Sequence, residues 1–233
     1  MPKKAEQNHL QDFLTELLNS LQIDAEVASP FQESNFFDYA SELLSDAGIY
    51  DNIEQNDFRD VNRGMKIDGF NWNPLERILS GIIVNFSGES TLGSISKSEI
   101  EKLGRQTAKF MSNIQNESFE ESLAATSAGR ELIDSMSIHI EEVNKYRVII
   151  LTDRVMSNRI KLNKLKISDI NGKEAFFEIW DLRRPFIWTC KSYTLLDIWM
   201  CFRSFECQNQ GFCLLYTSPS PRDATLSRMP SSA

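Results

Sequence analysis

The chain has 233 residues, of which 41% are apolar and 25% are charged, a composition typical of a folded domain with a buried core. Its 25 basic and 33 acidic residues give a net charge of −8, so the chain as a whole lacks the basic excess of a protein devoted to nucleic acid. Its apolar runs are shorter than the ~20 residues of a membrane span, and no apolar run follows the first lysines as in a secretory signal. We therefore predict a cytoplasmic protein.

Two amphipathic helices are predicted at the start of the chain. Leucines and a phenylalanine at i, i+3, i+4 and i+7 spacing predict a helix over residues 5–22, and we assign residues 1–29 to this N-terminal segment. A second helix is predicted over residues 30–47. Pro30 suits its first turn and Gly48 suits its C-terminal cap.

Three strands are predicted to follow the helices. Residues 57–62 are short and polar, which is typical of an edge strand, and residues 65–70 alternate in character. Residues 77–86 contain a long apolar run, which predicts a buried central strand. The sequence Asn-Trp-Asn-Pro at 71–74 has the composition of a turn and is expected to join the last two strands.

Helical and strand patterns then alternate. Ser96 and Glu99 have the spacing of a capping box and predict a helix that begins there and ends near residue 114. Apolar spacing predicts another helix over residues 123–143. Residues 146–152 are mostly apolar, as in a strand that is buried on both faces.

The end of the patterned region is predicted to be a hairpin. Residues 167–170 and 175–180 are its expected strands, and Asn171 and Gly172 are its expected turn. Together, the order of elements predicts an α/β domain over residues 30–184, with a mixed sheet flanked by helices.

The predicted second strand carries the first candidate for catalysis. In the segment KIDGF, an acidic residue and a glycine lie on the second of three strands that follow a helix. This arrangement resembles a divergent restriction-endonuclease-like core, in which an acid on one strand and an acid-x-Lys on the next hold Mg²⁺ and position water. The resemblance implies that Asp68 is a catalytic and metal-binding residue and that Glu42, on the preceding helix, adds a second carboxylate.

The third strand departs from that pattern. Asn85 stands where the acid is required, and an amide brings no charge to a hard divalent cation. Ser87 stands where the lysine is required and cannot stabilise the charge that develops on phosphorus. We therefore favour Asp68 as a structural acid on a non-catalytic sheet. The alternative is an active nuclease in which Lys66, beside Asp68, or Arg77 supplies the missing cation.

The segment after the predicted buried strand is basic. We interpret it as a charged face in contact with solvent, and contact with phosphates is the alternative. Its basic residues are Arg154, Arg159, Lys161, Lys164 and Lys166.

The four cysteines all occur late in the chain. They lack the paired spacing of a zinc site, and neither histidine is near them in sequence. Residues 185–212 change in character, which we attribute to a frameshift near residue 186, with a cysteine-rich buried segment as the alternative. Residues 213–233 resemble a translated sequencing adapter, so we expect them to be an artefact and the chain to be a fragment cut at its C-terminus.

Several phrases of the chain resemble, in order and spacing, the N-terminal region of the bacterial abortive-infection phage-resistance (AIPR) family. The likeness covers roughly residues 30–185. The phrases are FDYASELLSDAG (37–48), RGMKIDGF (63–70), LSGIIVNFSG (79–88), TLGSISKSEIEKLGRQTAKF (91–110), YRVIILTD (146–153) and FFEIWDLRR (176–184).

This resemblance implies a role in defence against phage. We expect a fragment whose N-terminal domain is a non-catalytic sensing or interaction module, with a phage-derived or nucleic-acid trigger and without a membrane partner or a cofactor. The alternative is a metal-dependent nuclease with a degenerate site around Asp68, and only that alternative requires Mg²⁺. A third possibility is a plain structural domain, with the defence chemistry elsewhere in the protein.

Overall fold

A five-stranded mixed sheet forms the centre of the described part of the protein. All described residues fall within the unit Met1–Tyr193. The predictions for residues 185–212 and 213–233, including the four cysteines, lie outside the described residues. The computed structural model describes residues 4–27, 32–46, 48–124 and 126–184.

Helices precede the sheet and also connect its middle strands. The helices are α1 (Lys4–Val27), α2 (Gln32–Asp46), α3 (Lys97–Ser112), α4 (Glu117–Glu121) and α5 (Ala128–Ser137). The strands are β1 (Glu54–Asp60), β2 (Met65–Asn73), β3 (Ile78–Asn85), β4 (Ser94–Ile95), β5 (Lys145–Thr152), β6 (Val155–Met156) and β7 (Ala175–Trp180), and a 3₁₀ helix spans Leu162–Lys164. None of the helices in the described ranges combines the length and the apolar character that crossing a membrane requires.

The strand order in the sheet is β1-β2-β3-β5-β7. β1, β2 and β3 form an antiparallel meander, whereas β5 is parallel to β3 and β7 is parallel to β5. The parallel pairs need long crossovers, and α3, α4 and α5 provide the first of them. The short strands β4 and β6 pair separately. The predicted α/β class and mixed sheet are therefore confirmed.

Helices cover both faces of the sheet. On one face, α1 and α2 bury apolar side chains against β3, β5 and β7, as in the cluster of Leu17, Phe37, Ile82 and Ile149. On the other face, α3 and α5 pack against β2 and the amino ends of β3 and β5. A third cluster joins the start of α3 to β5 and β7. The central strands are thus buried on both sides, which explains their continuous apolar runs.

The capping box at the start of α3 is confirmed. The side chain of Ser96 accepts a hydrogen bond from the backbone N–H of Glu99, at 3.3 Å, and the carboxylate of Glu99 accepts one from the backbone N–H of Ser96, at 2.9 Å. Both bonds satisfy amide groups that have no partner inside the helix.

Three predictions of secondary structure are wrong. The turn predicted at 71–74 lies later, because residues 71–73 belong to β2 and pair with β3, and the turn occupies residues 74–77. The helix predicted over residues 123–143 is only the ten-residue α5, which begins after the N-cap Ser127; residues 138–143 form turns that keep Ile140 and Val143 buried. The hairpin predicted at 167–180 does not form as a pair of strands, because β7 pairs with the distant β5 and residues 167–170 contribute only an isolated bridge from Ile170 to Lys173. Its predicted turn is confirmed, since Asn171 and Gly172 both have positive φ and Ile170 and Lys173 exchange two backbone hydrogen bonds.

Candidate functional site

In strand β2, the regular alternation of side chains between the two faces of the sheet is interrupted next to Asp68. Ile67 and Phe70 lie in the same apolar cluster although they are three residues apart, whereas a regular strand would put them on opposite faces. The paired strand β1 shows a register shift between Gln55 and Phe58, opposite this point. Three residue steps on β1 face two on β2, so β1 carries one extra residue opposite Asp68, as in a β-bulge, which bends the strand and redirects side chains.

The pairing of β2 with β3 ends beside this bulge, and we call the gap between the two strands the fork. Their pairing runs from Asn73↔Ile78 to Gly69↔Ile82, and beyond it the backbone of Val84 bonds to side chains of β2. Asp68 Oδ2 accepts a hydrogen bond from the Val84 N–H at 2.6 Å. Lys66 Nζ donates to the Val84 carbonyl at 2.8 Å. Two charged side chains thus replace the backbone ladder at this place.

The fork contains a small network of charges, which we call the fork cluster: Glu33, Arg59, Lys66 and Asp68. Lys66 Nζ lies 3.3 Å from Asp68 Oδ2 and also pairs with the Glu33 carboxylate at the start of α2. Glu33 pairs in turn with Arg59 of β1 at 3.3 Å. The side chains of Lys66 and Asp68 are 9% and 12% exposed, so this is a largely buried ion pair with an exposed outer end.

Burial governs the protonation of Asp68. Loss of solvent raises the pKa of its carboxyl from 3.8 to about 6, and the charge on Glu33 adds to that increase. Lys66 and the Val84 N–H act in the opposite direction, because they stabilise the carboxylate. Asp68 therefore changes its charge close to neutral pH.

The structure brings together two of the three predicted site residues. Asp68 and Lys66 are in contact, whereas Glu42 is exposed on α2, where its charge acts on Asp38. The helix carboxylate that reaches the fork is Glu33, which the sequence analysis missed. Glu33 lies in the first turn of α2, and the start of that helix faces the sheet. Its position in the sequence, three residues after Pro30, was the available signal.

The end of β3 is held by a second carboxylate that sequence analysis missed. Asp153 follows β5 and accepts hydrogen bonds from the backbone N–H groups of Ser87 and Gly88, at 3.0 and 2.9 Å, and from the Ser87 hydroxyl at 2.8 Å. Ser87 is thus tied to Asp153, and the buried Oδ1 of Asn85 has no hydrogen-bond partner among the described residues. Within the described ranges, no group of three His, Cys, Asp or Glu residues is placed to hold a metal ion.

A separate buried cation lies on β5. Arg147 is 6% exposed and donates to the Tyr50 hydroxyl at 2.7 Å and to Glu76 at 3.2 Å. The Tyr50 hydroxyl donates to Glu178 at 2.6 Å. Burial raises the pKa of Tyr50 and Glu178 raises it further, so Tyr50 stays protonated and links the loop after α2 to β5 and β7. The other predicted cation, Arg77, is exposed before β3, at the opposite end of that strand from the fork.

Comparison with known proteins yields one family. The model of the abortive infection phage resistance protein N-terminal domain matches residues 36–186, more than half of the chain and nearly the range of the resemblance found in the sequence. Comparisons with curated proteins and with solved structures gave no match. The matched range includes most of α2, the whole sheet, and both Asp68 and Lys66 of the fork cluster, while Glu33 lies just before it. The chain therefore belongs to the family of abortive infection phage resistance proteins and carries its N-terminal domain.

Proposed function

We propose that this domain is a non-catalytic sensing and interaction module of a phage-resistance protein of the bacterial cytoplasm. Family membership supports the role in defence. The observation that carries the non-catalytic part is the bonding of Asp68 and Lys66 to the backbone of Val84. The two side chains make the hydrogen bonds to Val84 that backbone groups of β2 would make in a regular β-ladder.

This structural use accounts for charges inside a sheet. An unpaired backbone N–H or C=O in a buried strand costs free energy, and the fork would leave both groups of Val84 without partners. Asp68 supplies the acceptor and Lys66 supplies the donor, while their mutual attraction offsets the cost of burying them. Their presence on β2 is therefore explained without any substrate.

The runner-up is a metal-dependent nuclease. The described elements keep the order on which the restriction-endonuclease-like resemblance was based: α2 precedes the strands, Asp68 lies on the second strand, and the third strand is apolar. Lys66 lies beside Asp68, as that alternative also requires, and Glu33 is a further carboxylate at the same place. Asn85 and Ser87 weigh against it, because they bring no charge to the end of β3.

A cleavage assay separates the two proposals. The purified chain is incubated with duplex DNA, single-stranded DNA and RNA, with Mg²⁺, with Mn²⁺ or with EDTA. We expect no metal-dependent cleavage by the chain or by Asp68→Asn. Cleavage that requires a metal and disappears in both Asp68→Asn and Asp68→Ala would overturn the proposed function.

Glu42→Gln is the matched control for this experiment. It also neutralises one carboxylate, but on the exposed side of α2 and away from Val84. If metal-dependent cleavage is lost in the two Asp68 variants and retained in Glu42→Gln, the loss is specific to Asp68 and the nuclease alternative is supported. Cleavage that persists unchanged in all three variants points to a contaminating enzyme. If additional purification of the chain then removes the cleavage, the result supports a non-catalytic module.

A further inference from the structure

One surface of this acidic chain is strongly basic. Two segments form it: the exposed side of residues 97–105 of α3 and residues 159–166, which lead towards β7. We call it the basic surface. Its seven cations are all exposed: Lys97, Lys102, Arg105, Arg159, Lys161, Lys164 and Lys166.

The two segments adjoin each other. Leu103 of α3 and Ile160 belong to the same apolar cluster, and Leu162 and Leu165 pack against it. The backbone N–H of Lys166 donates to the carboxylate of Glu101 on α3 at 3.0 Å. The cations of both segments therefore share one continuous surface.

The acidic residues within these segments are already engaged. Glu99 binds Ser96 and Arg154, and Glu101 accepts the Lys166 N–H and pairs with Lys97 at 3.5 Å. Apart from Lys97, none of the seven cations forms a salt bridge with a described residue. Six positive charges thus form no salt bridge among the described residues, although Arg105 acts electrostatically on Glu101, in a chain whose net charge is −8.

The chemistry of the surface favours a polyphosphate backbone over a lipid bilayer. A surface that binds membranes inserts exposed apolar side chains, whereas the apolar residues of these segments, Leu162 and Leu165 among them, turn inward. Neither segment contains an aromatic residue on which unpaired bases would stack. Duplex DNA offers the densest array of phosphates and needs neither feature.

We propose that the basic surface binds duplex DNA through its phosphates, without selection for sequence. This inference rests on the proposed function and deepens it, because it names the partner that the interaction module would recognise. Each lysine or arginine that contacts a phosphate releases condensed counterions, so the affinity must fall steeply with salt. For six contacts, the slope of log affinity against log salt is about −5.

The test is a titration of labelled duplex DNA with the full chain, in EDTA, at salt concentrations between about 50 and about 200 mM. Lys161→Gln with Lys164→Gln is expected to weaken binding and to make the salt slope shallower by about 2. The matched control is Lys145→Gln with Lys173→Gln. It removes the same charge at the amino ends of β5 and β7, outside the basic surface, and is expected to leave the slope unchanged.

Several results would overturn the inference. They are the absence of binding at the lowest salt, an equal loss in the control variant, tighter binding to single-stranded DNA or RNA, and binding only to vesicles that contain phosphatidylserine. Because EDTA is present, none of these results depends on cleavage. The inference can therefore fail while the proposed function stands, and metal-dependent cleavage would refute the proposed function without affecting this titration.

Discussion

The fork cluster and the basic surface use the same kinds of side chain in opposite ways. In the fork, Lys66 is 9% exposed and has two carboxylates and a carbonyl as partners. On the basic surface, lysines such as Lys161 and Lys164 are exposed and have no salt-bridge partner among the described residues. Buried charges must be neutralised within the fold, whereas exposed charges without partners remain available to another molecule. This difference supports our proposal that Lys66 and Asp68, which suggested catalysis in the sequence, serve structure. It also supports our proposal that the lysines of the basic surface, which resemble a plain solvent face in the sequence, are the better candidates for binding.

The largest expected effect is on stability at the fork. Asp68→Ala leaves the Val84 N–H without an acceptor and removes one partner of Lys66, so we expect a loss of about 3 kcal/mol in unfolding free energy. Asp68→Asn keeps an acceptor oxygen and should cost clearly less. Urea denaturation of both variants measures the difference. Equal and small losses in the two variants would show that the bond to Val84 contributes little.

A second effect concerns pH. Because the pKa of Asp68 is raised from 3.8 to about 6, the folded state holds this proton more tightly than the unfolded state does. The contribution of Asp68 to stability therefore falls as the pH rises from about 4 to about 6, and is constant above that range. Asp68→Asn cannot titrate, so its stability relative to the natural chain should increase over this window. Denaturation curves at a series of pH values provide the check, and a relative stability that decreases would contradict the assigned direction.

A smaller effect is expected where α3 begins, at the margin of the basic surface. Ser96→Ala removes the capping hydrogen bond to the Glu99 N–H and should cost about 1 kcal/mol. Ser96→Asp is the control, since aspartate is also a good cap, and it should retain most of the stability. Thermal and urea unfolding would reveal the loss, and an unchanged midpoint in Ser96→Ala would mean that the helix start is held by other contacts.

The smallest effect on stability is expected on the basic surface itself. Lys161→Gln with Lys164→Gln removes no buried contact and should change the unfolding free energy by no more than about 0.5 kcal/mol per site. The same variant is expected to weaken DNA binding. A large loss of stability in this variant would remove the contrast between the two regions, because these charges would then also be structural.

The sequence predicted the elements that have strong local signals. The amphipathic faces of α1 and α2, the central strands β3 and β5, and the capping box of α3 all follow from residue spacing. The predicted hairpin failed because the partner of β7 is β5, far away in the chain, and no local pattern encodes such a parallel pairing. The helix predicted over 123–143 was too long. Ile140 and Val143 continue the helical spacing of apolar residues, but they lie after α5 in turns that bury their side chains.

The site was predictable only in part. Asp68 stood out because an acid followed by a glycine on the second strand after a helix resembles a restriction-endonuclease-like core, and Lys66 because it lies beside Asp68 in the sequence. Their bonds to Val84 could not be predicted, since they depend on a bulge that a single sequence does not reveal. Glu33 and Asp153 were missed for the same reason, because each reaches its partners across the fold rather than along the chain.

Phage plating on cells that carry the gene for this chain with Asp68→Asn tests the central claim most directly. The variant retains an acceptor for the Val84 N–H but cannot bind a divalent cation as a carboxylate does. We predict that Asp68→Asn protects cells as well as the natural gene does. Asp68→Ala should lose protection only to the extent that the amount of folded protein in the cell decreases. Loss of protection in Asp68→Asn, at normal protein level and stability, would contradict a non-catalytic module and assign Asp68 to chemistry.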